Sequence, residues 1–409
     1  MNGRLYTPYF RTQSAKPYVS LLFGARQTGK STLLREVYPD PALRIDFSSA
    51  EDRANFGLDP SYFLQRCRDL ETRSGPPVVL VDEAQLCPEI FNAVQHLYDE
   101  DKSRWRFILC GSSARKLRQI GANLLPGRSL YHRLYPLVQA EISPRLSPAS
   151  ILSSPSWSEP VARPFHAMSL VDRLAWGALP GIVTAPTEDR PALLKSYAAI
   201  YLEEEVRREA SSINLADFAR FLELAALESG QIANYAALAS KVGVTGNTIQ
   251  SYYAVLEDMF VGFSLPAFSG SARQGVLSKP RFFFFDLGVR HAAARVPAEH
   301  GAVLANPGPL FEQWVGIELW KRIGYLGEGS LSYFRTKTGV EVDFIVEHRK
   351  KLIPIEVKWT ERPGEADIRH LRNFLSDHPK AAPIGYVICR CPHPLQLAEN
   401  VRAIPWQML

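Results

Sequence analysis

Short apolar segments alternate with stretches of helical periodicity over the first third of the chain. Apolar strand candidates occupy residues 19–23, 43–47, 78–81 and 107–109. Strands that are apolar on both faces and are separated by helices are typical of a parallel sheet covered on both sides. The pattern therefore predicts an α/β domain over residues 1–142.

A different pattern follows this domain. Serine and proline recur over residues 143–164, which predicts a loop or linker. Helical periodicity returns from Ser169 and continues to residue 210. We therefore expect a linker followed by helices over residues 143–212.

Residues 213–293 carry the pattern of a winged-helix domain. Residues 234–249 predict a short helix, a glycine turn and the start of a second helix. Residues 263–268 and 281–285 then have the apolar character of two strands. Helix, turn, helix and strand pair in this order predict a winged helix.

The predicted second helix of this domain has few side chains that could bind DNA phosphates. The polar side chains that it offers are Asn247, Gln250 and Ser251, with no arginine or lysine among them. Arg273, Lys279 and Arg281 on the wing partly offset this lack. DNA contact and a structural or protein-binding role both remain open.

The last part of the chain, residues 294–409, predicts a further α/β domain. A helix begins at Leu310, and strand candidates lie at residues 332–335, 340–346, 352–359 and 384–389. The basic residues at 348–351 separate the second and third of these strands, which predicts a hairpin.

Length and composition set the broad class of protein. A chain of 409 residues corresponds to about two to four domains. No apolar run approaches the ~18 residues of a membrane span, the N-terminus lacks a signal sequence, and the cysteines are scattered. We expect a cytoplasmic protein without a membrane partner.

The positive charge is unevenly distributed along the chain. The net charge is only +5, yet no Asp or Glu occurs between residues 104 and 140, where arginines and lysines are frequent. Such a surface can meet phosphate, either the nucleotide of a neighbouring subunit or a nucleic-acid backbone. A solvated face without a partner is the alternative.

The segment after the first strand fits the phosphate-binding pattern G-x-x-x-x-G-K-[ST] at every fixed position. Its glycines let backbone N–H groups point at phosphate oxygens, Lys30 supplies positive charge, and the Ser31 hydroxyl can ligate Mg²⁺. A chance glycine turn before a helix is the alternative. The expected nucleotide contacts are Gly24, Ala25, Arg26, Gln27, Thr28, Gly29, Lys30, Ser31 and Thr32.

Two further segments would complete a hydrolytic site. The third strand ends in Asp82 and Glu83, and ligands bind at the carboxyl ends of such strands. Asp82 would hold Mg²⁺ through water, and Glu83 would orient and polarise the attacking water. Ser112 follows the fourth strand and could form a hydrogen bond with that water or with the γ-phosphate. The alternative is that Ser112 only caps the next helix. Because no Asn-Lys-x-Asp guanine-reading motif occurs, ATP is preferred to GTP.

Five segments together resemble a large prokaryotic group of AAA-family ATPases whose members carry a C-terminal domain of unknown function. They are residues 24–32, 81–85, 109–114, 125–128 and 134–137. The resemblance covers nearly the whole chain and implies a helical lid after the ATPase core. It also implies an arginine finger that acts in trans, hence a homo-oligomer that is a ring, for example a hexamer, or at least a dimer. Arg128 fits this role, with Arg115, Arg118 and Arg133 as rivals.

The C-terminal domain brings carboxylates and a lysine together. Glu356 and Lys358 are two apart and share one face of a strand, and an antiparallel hairpin would bring Asp343 close to both. A carboxylate pair can bind Mg²⁺ beside a lysine that polarises water. With Glu312 on the preceding helix, the set looks like the PD-(D/E)XK nuclease fold, and Glu341 is an alternative ligand.

Several functions remain open on the sequence alone. The nuclease-like centre could cut, bind nucleic acid without cutting, or serve as a scaffold. The leading hypothesis is an AAA-type ATPase that hydrolyses ATP in an oligomer and acts on DNA. The alternatives are a Mg²⁺-dependent nuclease gated by ATP and an ATP-driven switch that binds a partner protein. Cys389, Cys391 and His393 make a poor zinc site, since a distant fourth ligand is missing.

Overall fold

The computed structural model describes residues 3–58, 60–72, 75–113, 125–142, 165–202, 214–269, 279–336 and 338–409. Within these residues the chain divides into two compact units. The N-terminal unit contains Gly3–Pro136 and Asp258–Phe260, and the C-terminal unit contains Leu137–Glu257 and Val261–Leu409. Arg115, Arg118, Arg273 and the linker predicted at residues 143–164 lie outside the described residues. The predicted domain boundaries after residues 142, 212 and 293 stay predictions.

A five-stranded parallel sheet forms the centre of the N-terminal unit. Its strands are β1 (Val19–Phe23), β2 (Leu43–Asp46), β3 (Val78–Asp82), β4 (Arg106–Gly111) and β5 (Ser129–Arg133). Their order is β2-β3-β4-β1-β5, and each neighbouring pair is parallel. The expected parallel α/β sheet is therefore confirmed, while β5 was not predicted.

Helices cover this sheet. They are α1 (Thr7–Ser14), α2 (Lys30–Val37), α3 (Ala50–Leu58), α4 (Pro60–Arg68) and α5 (Ile90–Glu100), with a 3₁₀ turn at Ala84–Leu86. Leu22 of β1, Leu80 of β3 and Ile108 of β4 are fully buried, as strands with two covered faces require. The carboxyl ends of parallel strands share one edge of the sheet, and the predicted nucleotide-binding residues follow β1, β3 and β4 at that edge.

The C-terminal unit begins with short helices. They are α6 (Gln139–Ile142), α7 (Leu170–Trp176), α8 (Pro180–Thr184) and α9 (Arg190–Ser196), followed by a π-helical segment at Tyr197–Leu202. A capping box fixes the start of α7, because the side chains of Ser169 and Asp172 accept each other's backbone N–H.

Three helices and a hairpin come next. The helices are α10 (Leu215–Leu227), α11 (Tyr235–Val242) and α12 (Gly246–Asp258), and β6 (Gly262–Leu265) pairs antiparallel with β7 (Arg281–Phe284). The turn between α11 and α12 contains Gly243 at a φ of 86°, a left-handed conformation that glycine adopts without strain. Ile232 forms an isolated antiparallel bridge with Arg281.

A six-stranded mixed sheet completes the C-terminal unit. Its strands are β8 (Ser330–Arg335), β9 (Glu341–His348), β10 (Lys351–Val357), β11 (Gly385–Cys389), β12 (Leu395–Ala398) and β13 (Val401–Pro405). The order is β12-β13-β11-β10-β9-β8, with β8, β9 and β10 antiparallel and β11 parallel to both β10 and β13. The hairpin expected around residues 348–351 is present between β9 and β10.

Four helices accompany this sheet. They are α13 (Leu287–Ala293), α14 (His300–Ala305), α15 (Pro307–Leu326) and α16 (Glu365–Asp377), and a 3₁₀ turn follows at Trp406–Met408. Ile368 and Phe374 of α16 belong to one buried cluster with Val342 of β9 and Val387 of β11. Of the helices in the described ranges, none combines the length and the apolar character that crossing a bilayer requires.

Candidate functional site

The loop between β1 and α2 curls at its two glycines, Gly24 and Gly29. Gly24 lies so close to the carbonyl oxygen of Leu134 that a Cβ at this position would lie 2.3 Å from that oxygen. Gly29 has a φ of 92° and precedes the first residue of α2. Neither position accepts a larger side chain without movement of the backbone, so glycine is required at both ends of the loop.

Lys30 lies within the curl of this loop. Its side chain is 7% exposed, and Nζ donates to the carbonyl oxygens of Gly24 at 2.8 Å and Ala25 at 2.9 Å. The Thr28 hydroxyl donates to the same Ala25 oxygen at 2.9 Å. The loop thus holds one buried ammonium group at the carboxyl end of β1, where a triphosphate would need a cation.

Ser31 and Asp82 meet beside this loop. Oγ of Ser31 donates to Oδ2 of Asp82 at 3.0 Å, and the second carboxylate oxygen of Asp82 accepts the backbone N–H of Glu83 at 3.0 Å. A hydroxyl and a carboxylate are both hard oxygen ligands of the kind that Mg²⁺ prefers. The pair that the sequence assigned to the metal is therefore assembled.

Glu83 is held in an unusual conformation by two polar neighbours. Its φ of 51° lies in the left-handed region, which is uncommon for a glutamate. Its Oε2 atom accepts hydrogen bonds from Oγ of Ser112 at 3.2 Å and from Nε2 of Gln85. Gln85 also donates to Oγ of Ser112 at 3.0 Å. Ser112 thus contacts the residue predicted to orient the attacking water, while the helix it was expected to cap lies outside the described residues.

Arg4 is a member of this site that the sequence did not indicate. It is 6% exposed, and its guanidinium donates to the carbonyl oxygen of Thr28 at 2.6 Å and to that of Tyr135 at 2.8 Å. It therefore links the phosphate loop to the segment after β5. No motif marks an arginine 24 residues before its partner, so only the folded structure reveals this role.

The arginine-finger candidates have different environments. Arg128 forms an ion pair with Asp99 at 2.7 Å, and its side chain is 33% exposed. The guanidinium of Arg133 lies 4.9 Å from the ring centre of Tyr135 and 4.8 Å from that of Phe260. A role in trans for either residue stays a prediction.

A second centre forms in the C-terminal unit around Asp343, Glu356 and Lys358. Phe344 and Ile355 pair across the β9–β10 hairpin, so Asp343 and Glu356, the next residues outward, lie opposite each other. Oδ2 of Asp343 accepts the backbone N–H of Val357 at 2.8 Å, and Nζ of Lys358 donates to Oε2 of Glu356 at 3.2 Å. The structure therefore brings the three predicted residues together.

Arg281 joins this centre to Glu312. Nη1 of Arg281 donates to Oε1 of Glu312 at 2.8 Å, and Nη2 binds Glu341. Arg281 is 8% exposed, so its expected contribution to a DNA-facing wing is wrong; it neutralises carboxylates instead. Glu341, the alternative metal ligand, is engaged by Arg281 and lies 4.0 Å from Arg335.

The negative charges of the second centre favour the binding of a proton or another cation. Burial and the nearby charge of Asp343 raise the pKa of Glu356 to about 9. The same two causes raise the pKa of Glu312 to about 7. Burial alone would lower the pKa of Lys358, but Glu356 and Asp343 outweigh it and raise that pKa. A cation binding between Asp343 and Glu356 would relieve their repulsion.

The carboxylates of the second centre do not by themselves form a complete group of metal ligands. Over the described ranges, no group of three or more His, Cys, Asp or Glu residues is arranged to hold a metal ion. Cys389 and Cys391 are buried and His393 is exposed. Asp343 and Glu356 supply two carboxylates, which suits Mg²⁺ because this ion keeps several water ligands.

Family models match three successive segments of the chain. Residues 16–143 match a model described as an AAA domain. Residues 168–300 match a domain of unknown function (DUF8612), and residues 307–409 match another domain of unknown function (DUF4143). The chain thus combines an AAA-type, ATPase-like domain with a C-terminal DUF4143 domain. The AAA domain indicates nucleoside-triphosphatase activity.

Two mycobacterial proteins are similar to this chain over most of its length. They are Uncharacterized protein Rv2008c of Mycobacterium tuberculosis and Uncharacterized protein Mb2031c of Mycobacterium bovis. Each is 27% identical over 391 residues, which cover 95% of this chain and 80% of the relative. A crystal structure of protein VC1899 from Vibrio cholerae aligns over 95% of this chain and 94% of that chain, with 11% identity and a TM-score of 0.19. A score this low does not relate the two folds.

Proposed function

We propose that this chain is a Mg²⁺-dependent ATPase that works as an oligomer and acts on DNA. The observation that carries the ATPase part is the Ser31–Asp82 hydrogen bond beside the buried Lys30. Lys30 would bind the outer phosphates of ATP, and Ser31 and Asp82 would hold Mg²⁺. Bound there, the ion would neutralise charge that develops on the phosphate oxygens.

Hydrolysis at this site needs one positioned water. Glu83 would orient the water whose oxygen forms a bond to the γ-phosphorus while the bond from that phosphorus to the β–γ bridging oxygen breaks. ADP and inorganic phosphate leave, and the proton of the water passes to phosphate. Ser112 and Gln85 support this role because both donate to Oε2 of Glu83 and so fix the direction of its carboxylate.

Oligomer formation would complete the site with an arginine from a neighbouring subunit. Arg128 remains our candidate because it is partly exposed on the segment that resembles the AAA motif. To reach a neighbour's γ-phosphate, it would exchange its ion pair with Asp99 for that phosphate. Both partners are at least one-third exposed, so this exchange costs little.

The DNA part of the proposal rests on two elements of the C-terminal unit. Helices α10, α11 and α12 with the bridge at Ile232 and the β6–β7 hairpin have the element order of a winged helix. Asn247, Gln250 and Ser251 of α12 are exposed and available to a nucleic acid. The order α15, β8, β9, β10, α16, β11 and the group Asp343, Glu356 and Lys358 support a PD-(D/E)XK nuclease-like domain.

A second candidate function is Mg²⁺-dependent cleavage of DNA, with ATP controlling access. The contact of Lys358 with Glu356 beside Asp343 favours it, because Lys358 could polarise a water bound between the carboxylates and a phosphodiester. An ATP-driven switch that binds a partner protein is the remaining alternative. It predicts that DNA neither binds nor alters ATP hydrolysis.

One set of assays separates these functions. The ATPase rate of the full chain is measured at a fixed, stated salt concentration without DNA and with single-stranded, duplex and branched DNA. Stimulation supports action on DNA, and a flat response with no binding favours the partner-protein switch. The nuclease is supported if the wild type cleaves DNA and Lys358→Ala lowers the cleavage rate by about 10²–10⁴-fold while the ATPase rate stays unchanged. Lys351→Ala, which changes an exposed lysine at the start of β10, is the matched control.

A further inference from the structure

A large cavity lies in the C-terminal unit next to the acidic centre. Its volume is about 840 Å³, within the range of sites that bind small molecules. Its wall is formed by residues between α10 and α11, by α13 and the segment after it, and by the first turns of α15. Glu312 belongs to both this wall and the acidic centre.

Positive charge dominates the wall. Arg281, Arg290 and Arg335 line the cavity, and Glu312 is the one acidic residue among its described lining. Arg281 is paired with Glu312 and Glu341, and Arg335 lies 4.0 Å from Glu341, whereas within the described residues no carboxylate pairs with Arg290. Nη1 of Arg290 lies 3.1 Å from Nδ1 of His291, and Nη2 donates to the carbonyl oxygen of Leu227 at 3.3 Å. Arg290 therefore holds a charge without a counterion.

Two buried donors in this wall have no acceptor. Nε of Arg281 and Nε of Arg290 are both buried and make no hydrogen bond within the described structure. Arg281 itself is 8% exposed. Buried donors are nearly always satisfied in folded proteins, so two unsatisfied guanidinium nitrogens on residues of the cavity wall favour an anionic ligand. Oε1 of Gln313, on the same wall, is a buried acceptor that receives no hydrogen bond within the described structure.

The start of α15 adds to this field. The helix is 20 residues long, and Asn306 precedes it without capping it by a side-chain hydrogen bond. Asn306, Pro309 and Leu310 line the cavity, so the positive end of the helix dipole is directed towards it. Anions are stabilised at such ends, and here the effect acts together with the three arginines.

Other parts of the wall are apolar, beside the polar residues Ser229, Gln231, Asn306 and Gln313, and the cavity is too large for an ion alone. Leu227, Ile232, Val296 and Leu310 line the cavity and could pack against a sugar or a base. His291 also lines it, but burial and the charge of Arg290 lower its pKa to about 4, so it stays uncharged at neutral pH. A cavity lined by arginines, polar side chains and apolar side chains suits a ligand with one phosphate and one ring system.

We propose that this cavity binds a nucleoside monophosphate, either free or as the phosphorylated end of a strand, with Arg290 and Arg335 holding the phosphate. This site is distinct from the triphosphate site of the N-terminal unit. It goes beyond the proposed function, because it holds whether or not the chain acts on DNA.

Calorimetric titration of dTMP into full-length Lys30→Ala protein tests this proposal, since that protein lacks the ammonium group of the other nucleotide site. In this background, Arg290→Gln and Arg335→Gln should each weaken dTMP binding by about tenfold or more. Ala302→Trp should do the same by filling the cavity from an exposed position without altering its charge. Arg220→Gln, which changes an exposed arginine of α10 paired with Asp217, should have no effect.

The comparison of probes identifies the source of the phosphate. A 5′-phosphorylated oligonucleotide that binds more tightly than its 5′-hydroxyl counterpart, with the difference lost in Arg290→Gln, supports a strand end. Binding of dTMP without such a difference supports a free nucleotide. Absence of dTMP binding to the Lys30→Ala protein overturns the proposal. The proposal also fails if Arg335→Gln and Ala302→Trp leave dTMP binding unchanged, provided that both variants unfold at the same temperature as the Lys30→Ala protein.

Discussion

Ser31 and Asp82 are 51 residues apart in the sequence, yet the hydroxyl of one donates to the carboxylate of the other at 3.0 Å. The contact exists because β1 and β3 are parallel strands of one sheet and end at the same edge. It places a hydroxyl and a carboxylate beside the loop that holds the buried ammonium group of Lys30. The fold therefore brings together the two residues that we propose as Mg²⁺ ligands.

Replacing the Ser31 hydroxyl should weaken the use of Mg²⁺. We expect Ser31→Ala to need about tenfold or more Mg²⁺ for half-maximal ATP hydrolysis, because one oxygen ligand is lost. Ser31→Thr keeps the hydroxyl and should behave like the wild type. A Mg²⁺ titration of the ATPase rate checks this. Equal Mg²⁺ dependence of wild type and Ser31→Ala would remove Ser31 from the metal site.

Glu356 should make the protein less stable as the pH rises. Its folded-state pKa is about 9 because of burial and Asp343, far above its usual value of ~4.3. Between these values the folded state keeps a proton that the unfolded state has released, so stability falls with rising pH. Glu356→Gln lacks this group, and we expect its unfolding temperature to exceed that of the wild type by more at pH 8.5 than at pH 5.

Thermal unfolding of both proteins across this pH range measures the effect, with Mg²⁺ absent. Addition of Mg²⁺ should narrow the difference at high pH, because the ion favours the deprotonated carboxylate of the wild type and cannot do so in the variant. A temperature difference that stays constant from pH 5 to pH 8.5 contradicts the raised pKa.

Glu318 should be a main determinant of stability in the C-terminal unit. It is 1% exposed and binds Lys321 at 2.9 Å, Arg322 at 3.0 Å and the backbone N–H of Gln139 at 2.7 Å. Glu318→Ala removes the carboxylate that neutralises two buried cations, and we expect it to cost about 3–5 kcal/mol of unfolding free energy. Denaturant unfolding measures this loss. Glu328→Ala, which removes an exposed carboxylate paired with Arg349, should change stability little.

The same residue has a defined pH dependence. Burial would raise the pKa of Glu318, but Lys321 and Arg322 outweigh it and hold that pKa below its usual value. A depressed folded-state pKa gives stability that is present above ~4.3 and is lost as the pH falls further. The stability difference between wild type and Glu318→Gln should therefore shrink below pH 4. A difference that grows in acid would show that the cations do not stabilise the carboxylate.

The sequence predicted which residues meet at both centres where one or two local segments carry them. The phosphate loop needs two glycines, a lysine and a serine in one short run, and a strand ending in Asp82 and Glu83 lies at the same sheet edge by topology alone. Asp343, Glu356 and Lys358 were also predictable, because a tight hairpin fixes which residues of its two strands face each other. In each case local geometry decides the outcome.

Features that depend on distant partners were missed. β5 has no continuous apolar run, since Tyr131 is 53% exposed and His132 is buried against Tyr6. Arg4 meets Tyr135 across 131 residues, and Arg281 meets Glu341 across 60. Arg281 was assigned to a DNA-facing wing because it lies on the predicted strand pair, but carboxylates from α15 and β9 surround it. Charge at a single position does not reveal whether its partner is DNA, water or a buried acid.

The measurement that tests the central claim most directly is ATP turnover and ATP binding by Glu83→Gln. The variant keeps a polar side chain of the same size but removes the charge that would orient and polarise the attacking water. We predict that kcat falls by about 100-fold or more while the affinity for ATP changes by less than about threefold. Turnover near the wild-type rate would contradict the role of Glu83, and with it the hydrolytic site described here.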